Sequence, residues 1–190
     1  MNFSKIDTMT ETYDTVIDSL AQAEEQSMKL WRTDGDIHKA TDLWCTHRAE
    51  AEEKYGHISD WDVSSVTDMS HLFNCRTVFE DMRVHQKLSY RGRDSFNEDL
   101  SHWDVSKVTN MEGMFTCAFL FNKPIGDWDV SDVTNMCAMF AGAFAFNQAI
   151  EDWDVSKVTD MSCMFSGAYA FNRSIENWDM SNVTNMDHMF

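Results

Sequence analysis

Hydrophobic and polar positions follow one another along most of this chain in a pattern that recurs every 25 residues. A Trp-Asp pair marks each recurrence, and the last four pairs are spaced 25 residues apart. The pairs begin at Trp61, Trp103, Trp128, Trp153 and Trp178. Because a unit of this length cannot bury its own apolar face, the repeats are predicted to stack on one another.

Each repeat is predicted to contain a short strand followed by a short helix. In the fourth repeat Ile150, Trp153 and Val155 fill the apolar positions of the strand, with Trp153 and Val155 on one face. Thr159 is suited to cap a helix, and the apolar residues after it have helical spacing. These residues are Met161, Met164, Phe165 and Ala168. The expected fold class is an α/β repeat solenoid, similar to leucine-rich repeats, with one short parallel strand and one short helix in each coil.

The residues before the repeats have a different pattern. The apolar positions of the first segment lie on one helical face, at Ile6, Met9, Tyr13, Ile17 and Leu20. A polar break at 33–36 separates them from a second amphipathic helix, which is expected to cover the first coil. We therefore divide the chain into an amphipathic helix at 1–35, a helical cap at 36–57 and five repeats at 58–190.

The first repeat carries an insertion of 17 residues within 74–95, since its interval to the next Trp-Asp pair is 42 residues. This insertion is a basic island in an acidic chain, with Arg76, Arg83, Lys87, Arg91 and Arg93. Two interpretations are given equal weight: an added recognition loop and a tolerated surface loop. The fifth repeat is incomplete at Phe190, which would leave an exposed apolar coil. The favoured interpretation is a truncated chain, and the alternatives are a partner that covers this coil or assembly of two chains through it.

Two further rows recur among the repeats. Asparagines follow a phenylalanine at Asn97, Asn122, Asn147 and Asn172, and they are interpreted as a buried ladder that satisfies loop carbonyls. Aspartates follow each tryptophan at Asp62, Asp104, Asp129, Asp154 and Asp179. We expect each aspartate to accept a hydrogen bond from the backbone amides of the turn after it. The alternative is a row of bound cations such as Ca²⁺.

The motif W-D-V-S-x-V-T-x-M-x-x-M-F is complete in the second, third and fourth repeats, and the first and fifth each depart from it at one position, Leu72 and Met180. It resembles the signature of the BspA-type leucine-rich-repeat family of surface proteins. The resemblance covers about residues 40–190. It implies a solenoid with an interaction role and without known catalytic residues, and it names no partner.

Charge narrows the classes of partner. The chain has 15 basic and 32 acidic residues, a formal net charge of −17. Phosphate backbones and anionic lipids would be repelled, so we expect no nucleic-acid partner. The sequence has no long apolar run and no N-terminal signal pattern, so we expect no membrane insertion. An intracellular or virion-associated location is favoured, with surface exposure as the alternative if the chain is a fragment.

The sequence contains no catalytic constellation, and we expect neither enzymatic activity, nor a cofactor, nor a metal site. The predicted function is a protein-interaction or scaffold module with a basic protein partner. The alternatives are a structural component of a virion or cell-surface layer and a cation-dependent adhesin. The predicted contact surface is an acidic strip made of the five aspartates named above together with Ser64, Ser106, Ser131 and Ser156.

Overall fold

The computed structural model describes residues 4–75 and 93–190. Three α-helices come first: α1 at Ser4–Leu30, α2 at Ile37–Thr46 and α3 at Arg48–Tyr55. A short 3₁₀ helix at Ile58–Asp60 leads into the first Trp-Asp pair. Within the described residues, no helix is long and apolar enough to cross a membrane.

The repeats stack, but the predicted strand and helix within each repeat are both absent from the described residues. Successive repeats pair through isolated parallel bridges, such as Asp68 with Asn110 and Asp160 with Asn185, and not through a sheet. The predicted fold class, an α/β solenoid similar to leucine-rich repeats, is therefore wrong. What the sequence pattern describes is a stack of 25-residue loops without regular secondary structure.

The backbone hydrogen bonds explain why no helix forms after the Thr position. The amides of Met161, Cys163 and Phe165 donate to carbonyls of the next repeat, whereas those of Met164 and Ser166 close turns within their own repeat. An α-helix requires each of these amides to reach the carbonyl four residues back. Because alternate amides are bonded across the stack instead, the segment is a succession of turns.

The backbone angles exclude the helix independently. Ten residues after each tryptophan the chain has a positive φ, at His71, Gly113, Ala138, Cys163 and His188, with values between 52° and 58°. This left-handed conformation is unfavourable for residues with a side chain and cannot be continued within a right-handed helix. The spacing of the apolar residues therefore matches that of a helix, although the backbone forms successive turns.

The strand assignment fails for a similar reason. The amide of Trp153 donates to the carbonyl of Ile150, and the amide of Val158 donates to that of Val155. These are bonds between residues three apart, as in turns, and they curve the chain where a strand would be extended. Trp153 and Val155 nevertheless both point inward and are almost completely buried, as the two-residue spacing predicts.

Stacked phenylalanine rings fill the interior. Rings at equivalent positions of successive repeats lie nearly parallel with centroids 5.4 to 6.1 Å apart, and two rings of one repeat lie 3.9 to 4.0 Å apart. We call these the inner aromatic rows; they contain Phe73, Phe115, Phe140 and Phe165 in one row and Phe96, Phe121, Phe146 and Phe171 in the other. Buried tryptophans lie beside them, and Trp153 donates its Nε1–H to the carbonyl of Ile125 in the preceding repeat at 3.1 Å.

The threonine and asparagine rows form hydrogen-bond ladders between repeats, and their roles differ from those predicted. Thr159 does not cap a helix; its amide and its Oγ1 both donate to the carbonyl of Thr134, at 2.8 and 3.1 Å. The Asn ladder is largely exposed and not buried, and the side chains of Asn97, Asn122 and Asn147 each accept a hydrogen bond from an amide of the next repeat. The Oδ1 of Asn147, for example, accepts from the amide of Asn172 at 3.0 Å.

Helices α2 and α3 cover the first repeat. Trp44 of α2 packs edge-on against Trp61, with centroids 6.1 Å apart. The segment between α1 and α2 continues the polar ladder, because the Asp34 carboxylate accepts bonds from the amide and the hydroxyl of Thr67 at 2.8 and 2.7 Å. Arg32 donates its amide to the carbonyl of Asp62. The ladder groups that face away from the second repeat are therefore bonded to the N-terminal segment.

Candidate interaction surface

The five aspartates after the tryptophans are exposed, and we call them the acidic row. In each of them the Oδ1 accepts a hydrogen bond from the backbone amide two residues later, at 3.0 to 3.1 Å. The hydrogen bond expected from the sequence is thus present in every repeat. Members of the acidic row are Asp62, Asp104, Asp129, Asp154 and Asp179.

The neighbours of each aspartate fix its orientation. In the fourth repeat, Trp153 and Val155 are held in the interior at 3% and 1% exposure, so Asp154 between them must point outward. Ser156 supplies the amide that holds the carboxylate and is itself half-buried. The serines therefore support the acidic row and contribute less surface than the predicted strip assigned to them. They are Ser64, Ser106, Ser131 and Ser156, all half-buried.

Hydrogen bonding favours the ionised form of three carboxylates of the acidic row. Bonds from the side chain and backbone of Ser106 lower the pKa of Asp104, and Ser156 lowers the pKa of Asp154 in the same way. Bonds from Ser181 lower the pKa of Asp179, although the charge of Asp154 in the preceding repeat works in the opposite direction. In Asp104, Asp154 and Asp179 the charged form is therefore favoured, and like charges repel one another along the stack.

Further acids accompany the row. Asp60, Asp127 and Asp152 are exposed one residue before a tryptophan. Their recurrence was visible in the sequence but was not included in the predicted strip. Asp132, in contrast, is paired with Lys157 of the next repeat at 2.5 Å, and this contact raises the pKa of the lysine. The pair partly neutralises the surface between the third and fourth repeats.

The acidic row does not form a metal centre in the part of the chain that is described. Among residues 4–75 and 93–190, no group of three or more His, Cys, Asp or Glu is arranged to hold a metal ion. Each aspartate has one oxygen committed to its own turn. The geometry of the row is that of a series of separate, exposed carboxylates.

The basic insertion is described only at its end. Arg76, Arg83, Lys87 and Arg91 lie outside the described residues. Arg93 is largely buried: its side chain is 16% exposed, and it forms an ion pair with Asp42 of α2 and donates to the carbonyl of Asn74 at 3.0 Å. Arg93 therefore links the end of the insertion to the helical cap.

The structure also contains an exposed aromatic row that sequence reasoning missed. Phe119 and Phe144 stack at 4.7 Å, and Phe144 and Tyr169 stack at 5.2 Å. Phe144 is 43% exposed and Tyr169 is 84% exposed. We call these three residues the outer aromatic row. Their recurrence sixteen residues after the tryptophan was the available signal, but the repeat consensus left that position open.

Three of the five thiols are held in the un-ionised form by burial. Burial raises the pKa of Cys45 to about 11 and that of Cys75 to about 12. Burial also raises the pKa of Cys137, although its contact with Ser162 opposes the shift. A thiol is a nucleophile in its ionised form, so these three are poor nucleophiles at neutral pH.

Comparison with known proteins gives one match. The family described as "Mycoplasma protein of unknown function, DUF285" matches residues 41–86 and 85–190. The chain belongs to this family. No curated protein and no solved structure matches it. The two matched segments contain all five Trp-Asp pairs, so the repeats are the shared feature.

Proposed function

We propose that this DUF285 member is a non-catalytic protein-interaction or scaffold module, and that the acidic row is its contact surface for a basic protein. The observation that carries the proposal is that each repeat presents one exposed carboxylate, held by a hydrogen bond from the amide of its own turn. Carboxylates placed at regular intervals along a stack match the repeated cationic side chains of a basic segment. Such a charge pattern favours rapid association and register over tight binding.

The rigidity of the row supports this function. Each carboxylate is fixed to its own turn by an amide at 3.0 to 3.1 Å, and each turn is fixed to its neighbours through the threonine ladder. A partner therefore meets charges that are already oriented, and little conformational entropy is lost on binding. The resemblance of the repeat motif to the BspA-type surface proteins also favours an interaction role.

The test compares two variants with the same change in net charge. In the first, Asp104, Asp129 and Asp154 are replaced by Asn, whose Oδ1 can still accept the bond from the turn. In the second, Glu50, Glu52 and Glu53 of α3, which are exposed, are replaced by Gln. Binding of a synthetic arginine-rich peptide is measured by calorimetry at two salt concentrations.

We expect the acidic-row variant to bind the peptide roughly 3- to 150-fold more weakly, since each of the three lost ion contacts is worth about 0.2–1 kcal/mol at an exposed site. The α3 variant should retain nearly the affinity of the parent chain. Equal weakening in both variants would contradict the proposal, because overall charge and not the row would then govern binding.

A titration with calcium distinguishes the proposed interaction module from a cation-dependent adhesin. The same titration is repeated with Ca²⁺ and with EDTA, and thermal unfolding is recorded in parallel. The interaction proposal expects peptide binding and unfolding to be unchanged by EDTA. Loss of binding or of stability on chelation would favour a cation-dependent role for the row.

A further inference from the structure

Two cysteines lie side by side where the basic insertion leaves the first repeat. Cys75 of the first repeat and Cys117 of the second both lie fourteen residues after the tryptophan of their Trp-Asp pair. The amide of Cys75 donates to the carbonyl of Thr116 at 3.0 Å, so the two repeats are hydrogen-bonded to each other at this point. Backbone segments that are bonded in this way lie about 4.8 Å apart. The two cysteines are therefore neighbours across the stack.

The register of the two repeats supports this pairing. Two residues earlier, Phe73 and Phe115 occupy equivalent positions and stack with ring centroids 5.4 Å apart. The amide of Phe73 donates to the carbonyl of Met114 at 2.9 Å, and the same register continues to the cysteines. A disulfide requires Cα atoms roughly 4.4–6.8 Å apart. Neighbours in this register meet that requirement without a change in the path of the backbone.

The side chain of Cys75 is directed towards Cys117. Its Sγ contacts the carbonyl oxygen of Cys117. Burial raises the pKa of Cys75, and its interaction with the Cys117 thiol adds to this effect. On the other side of Cys117 lies Gly142, where a Cβ would be 3.2 Å from the Cys117 Sγ. The second repeat therefore accommodates the Cys117 thiol against a residue that has no side chain.

We propose that Cys75 and Cys117 form a covalent modification site, which closes to an intramolecular disulfide in the presence of a small-molecule disulfide oxidant. Both are free thiols in this structure. The Cys117 thiol, which is partly exposed, loses its proton and attacks one sulfur of an oxidant such as oxidised glutathione. The S–S bond of the oxidant breaks, one glutathione thiolate leaves, and Cys117 carries the other half as a mixed disulfide.

The second step is intramolecular. The Cys75 thiol loses its proton and attacks the Sγ of Cys117, and the second glutathione thiolate leaves. The two cysteines lose two protons and two electrons in total. The oxidant gains them and becomes two molecules of the reduced thiol, so the reaction is balanced.

Proximity offsets the low reactivity of Cys75. Its pKa is raised to about 12, so little of it is thiolate at neutral pH. Groups held next to each other nevertheless react with effective concentrations far above those of free reagents. We therefore expect the second step to be the slower one, and to become faster as the pH rises towards the pKa of Cys75.

The disulfide would strengthen the neck of the insertion, which consists of Phe73, Asn74, Arg93 and Phe96. Across this neck Phe73 and Phe96 stack at 3.9 Å, and Arg93 donates to the carbonyl of Asn74 at 3.0 Å. A bond from Cys75 to the second repeat adds a covalent link beside these contacts. Because the bond closes a long loop of chain, it should also stabilise the folded state.

The experiment oxidises the full-length chain with oxidised glutathione at dilute protein concentration and mildly alkaline pH. Peptide mapping without reduction then identifies the linked cysteines by mass spectrometry. Cys75→Ser removes one member of the pair, and Cys163→Ser, at a thiol that is partly exposed in the fourth repeat, is the matched control. We expect the parent chain and Cys163→Ser to link Cys75 to Cys117. Cys75→Ser should instead retain glutathione on Cys117.

Thermal unfolding measures the effect on the fold. The midpoint of the oxidised parent chain should lie roughly 4–16 °C above that of the reduced chain. Oxidant should leave the midpoint of Cys75→Ser nearly unchanged, because no internal bond can form there between these two positions. An internal bond without a rise in the midpoint would overturn the stabilising role at the neck.

The mapping of the parent chain decides the proposal, whether or not a variant folds. A parent chain that keeps all of its thiols would overturn it. So would a parent chain that accumulates glutathione on Cys117 without closing the ring, or one that links a different pair of cysteines. The result is independent of the acidic row, whose test is the affinity for a basic peptide.

Discussion

The inner and outer aromatic rows are built by the same repeat and have similar ring geometry, yet they differ in what surrounds them. Phe140 of an inner row stacks on Phe115 and Phe165 at 5.7 Å and is fully buried. Phe144, four residues later, stacks on Phe119 and Tyr169 at 4.7 and 5.2 Å but is 43% exposed. Stacking distance alone therefore does not show which row stabilises the fold; removal from water does.

Phe140→Ala is the strongest test of this difference. Removal of a fully buried ring that contacts rings on both sides should lower the free energy of unfolding by about 3–5 kcal/mol. Unfolding in guanidinium chloride, followed by tryptophan fluorescence, measures the loss. Phe140→Leu serves as the control and should lose much less. A cost below about 1 kcal/mol for the alanine variant would show that the inner rows do not form the core.

Trp153→Phe tests whether polar satisfaction matters beside the inner rows. The change keeps an aromatic ring but leaves the carbonyl of Ile125 without its donor, a bond of 3.1 Å in a buried site. We expect a loss of about 1–3 kcal/mol in the free energy of unfolding. Trp31→Phe, at a tryptophan that is 49% exposed, should be nearly neutral. Equal costs at the two positions would contradict the role assigned to the Nε1–H.

Asn147→Ala tests the exposed ladder that runs between repeats. Its Oδ1 accepts from the amide of Asn172 at 3.0 Å, and the variant leaves that amide to water. The expected cost is about 0.5–1.5 kcal/mol, the usual net worth of one hydrogen bond. Thermal unfolding provides the measurement, with Asn147→Asp, which keeps an acceptor, as the comparison. If Asn147→Asp is no more stable than Asn147→Ala, the hydrogen-bond acceptor at this position is unimportant.

Phe144→Ala tests the outer aromatic row, for comparison with the inner row at Phe140. Because much of the ring is already in water, its removal should cost less than about 1 kcal/mol, well below the cost at Phe140. The same guanidinium chloride titration serves both variants. A cost as large as that of Phe140→Ala would mean that the outer row is part of the core after all.

Acidification should have the smallest effect, because the carboxylates concerned are exposed. Hydrogen bonds in the folded state lower the pKa values of Asp104 and Asp154. The two carboxylates therefore contribute to the free energy of unfolding at pH values above the ordinary Asp pKa of about 3.9. This contribution is lost as the pH falls through the lowered folded values. The thermal midpoint should fall below pH ~4, and less steeply in Asp154→Asn. A midpoint that rises throughout acidification would show that relief of the net charge outweighs these bonds.

The sequence was reliable about the buried apolar positions of the repeat consensus and about the outward aspartates, but it wrongly placed the Asn ladder in the interior. The apolar positions of the fourth repeat, from Ile150 and Trp153 to Met164 and Phe165, are all in the core. The outward aspartates and the hydrogen bonds at their turns also follow from the sequence. A recurring spacing reports the direction of side chains, and that direction is repeated in every loop of the stack.

The same spacing misled us about the backbone. Apolar residues three and four apart, such as Met161, Met164 and Phe165, satisfy the pattern of a helix and also that of successive tight turns. Choosing between them requires knowing where the amides bond, and here alternate amides reach the neighbouring repeat. A neighbour 25 residues away is invisible to a local pattern.

The sequence by itself determined the 25-residue repeat, the inward apolar set and the outward acidic row, because each depends on spacing along one chain. The tertiary structure alone decided that the repeats pair through isolated bridges, that Thr159 and Asn147 form ladders, and that Phe144 is exposed while Phe140 is buried. These features depend on contacts between repeats. Each backbone amide can form a hydrogen bond within its own loop or with the neighbouring repeat. Which bond is more favourable depends on the packing of the repeats against one another, and that packing exists only in the folded molecule.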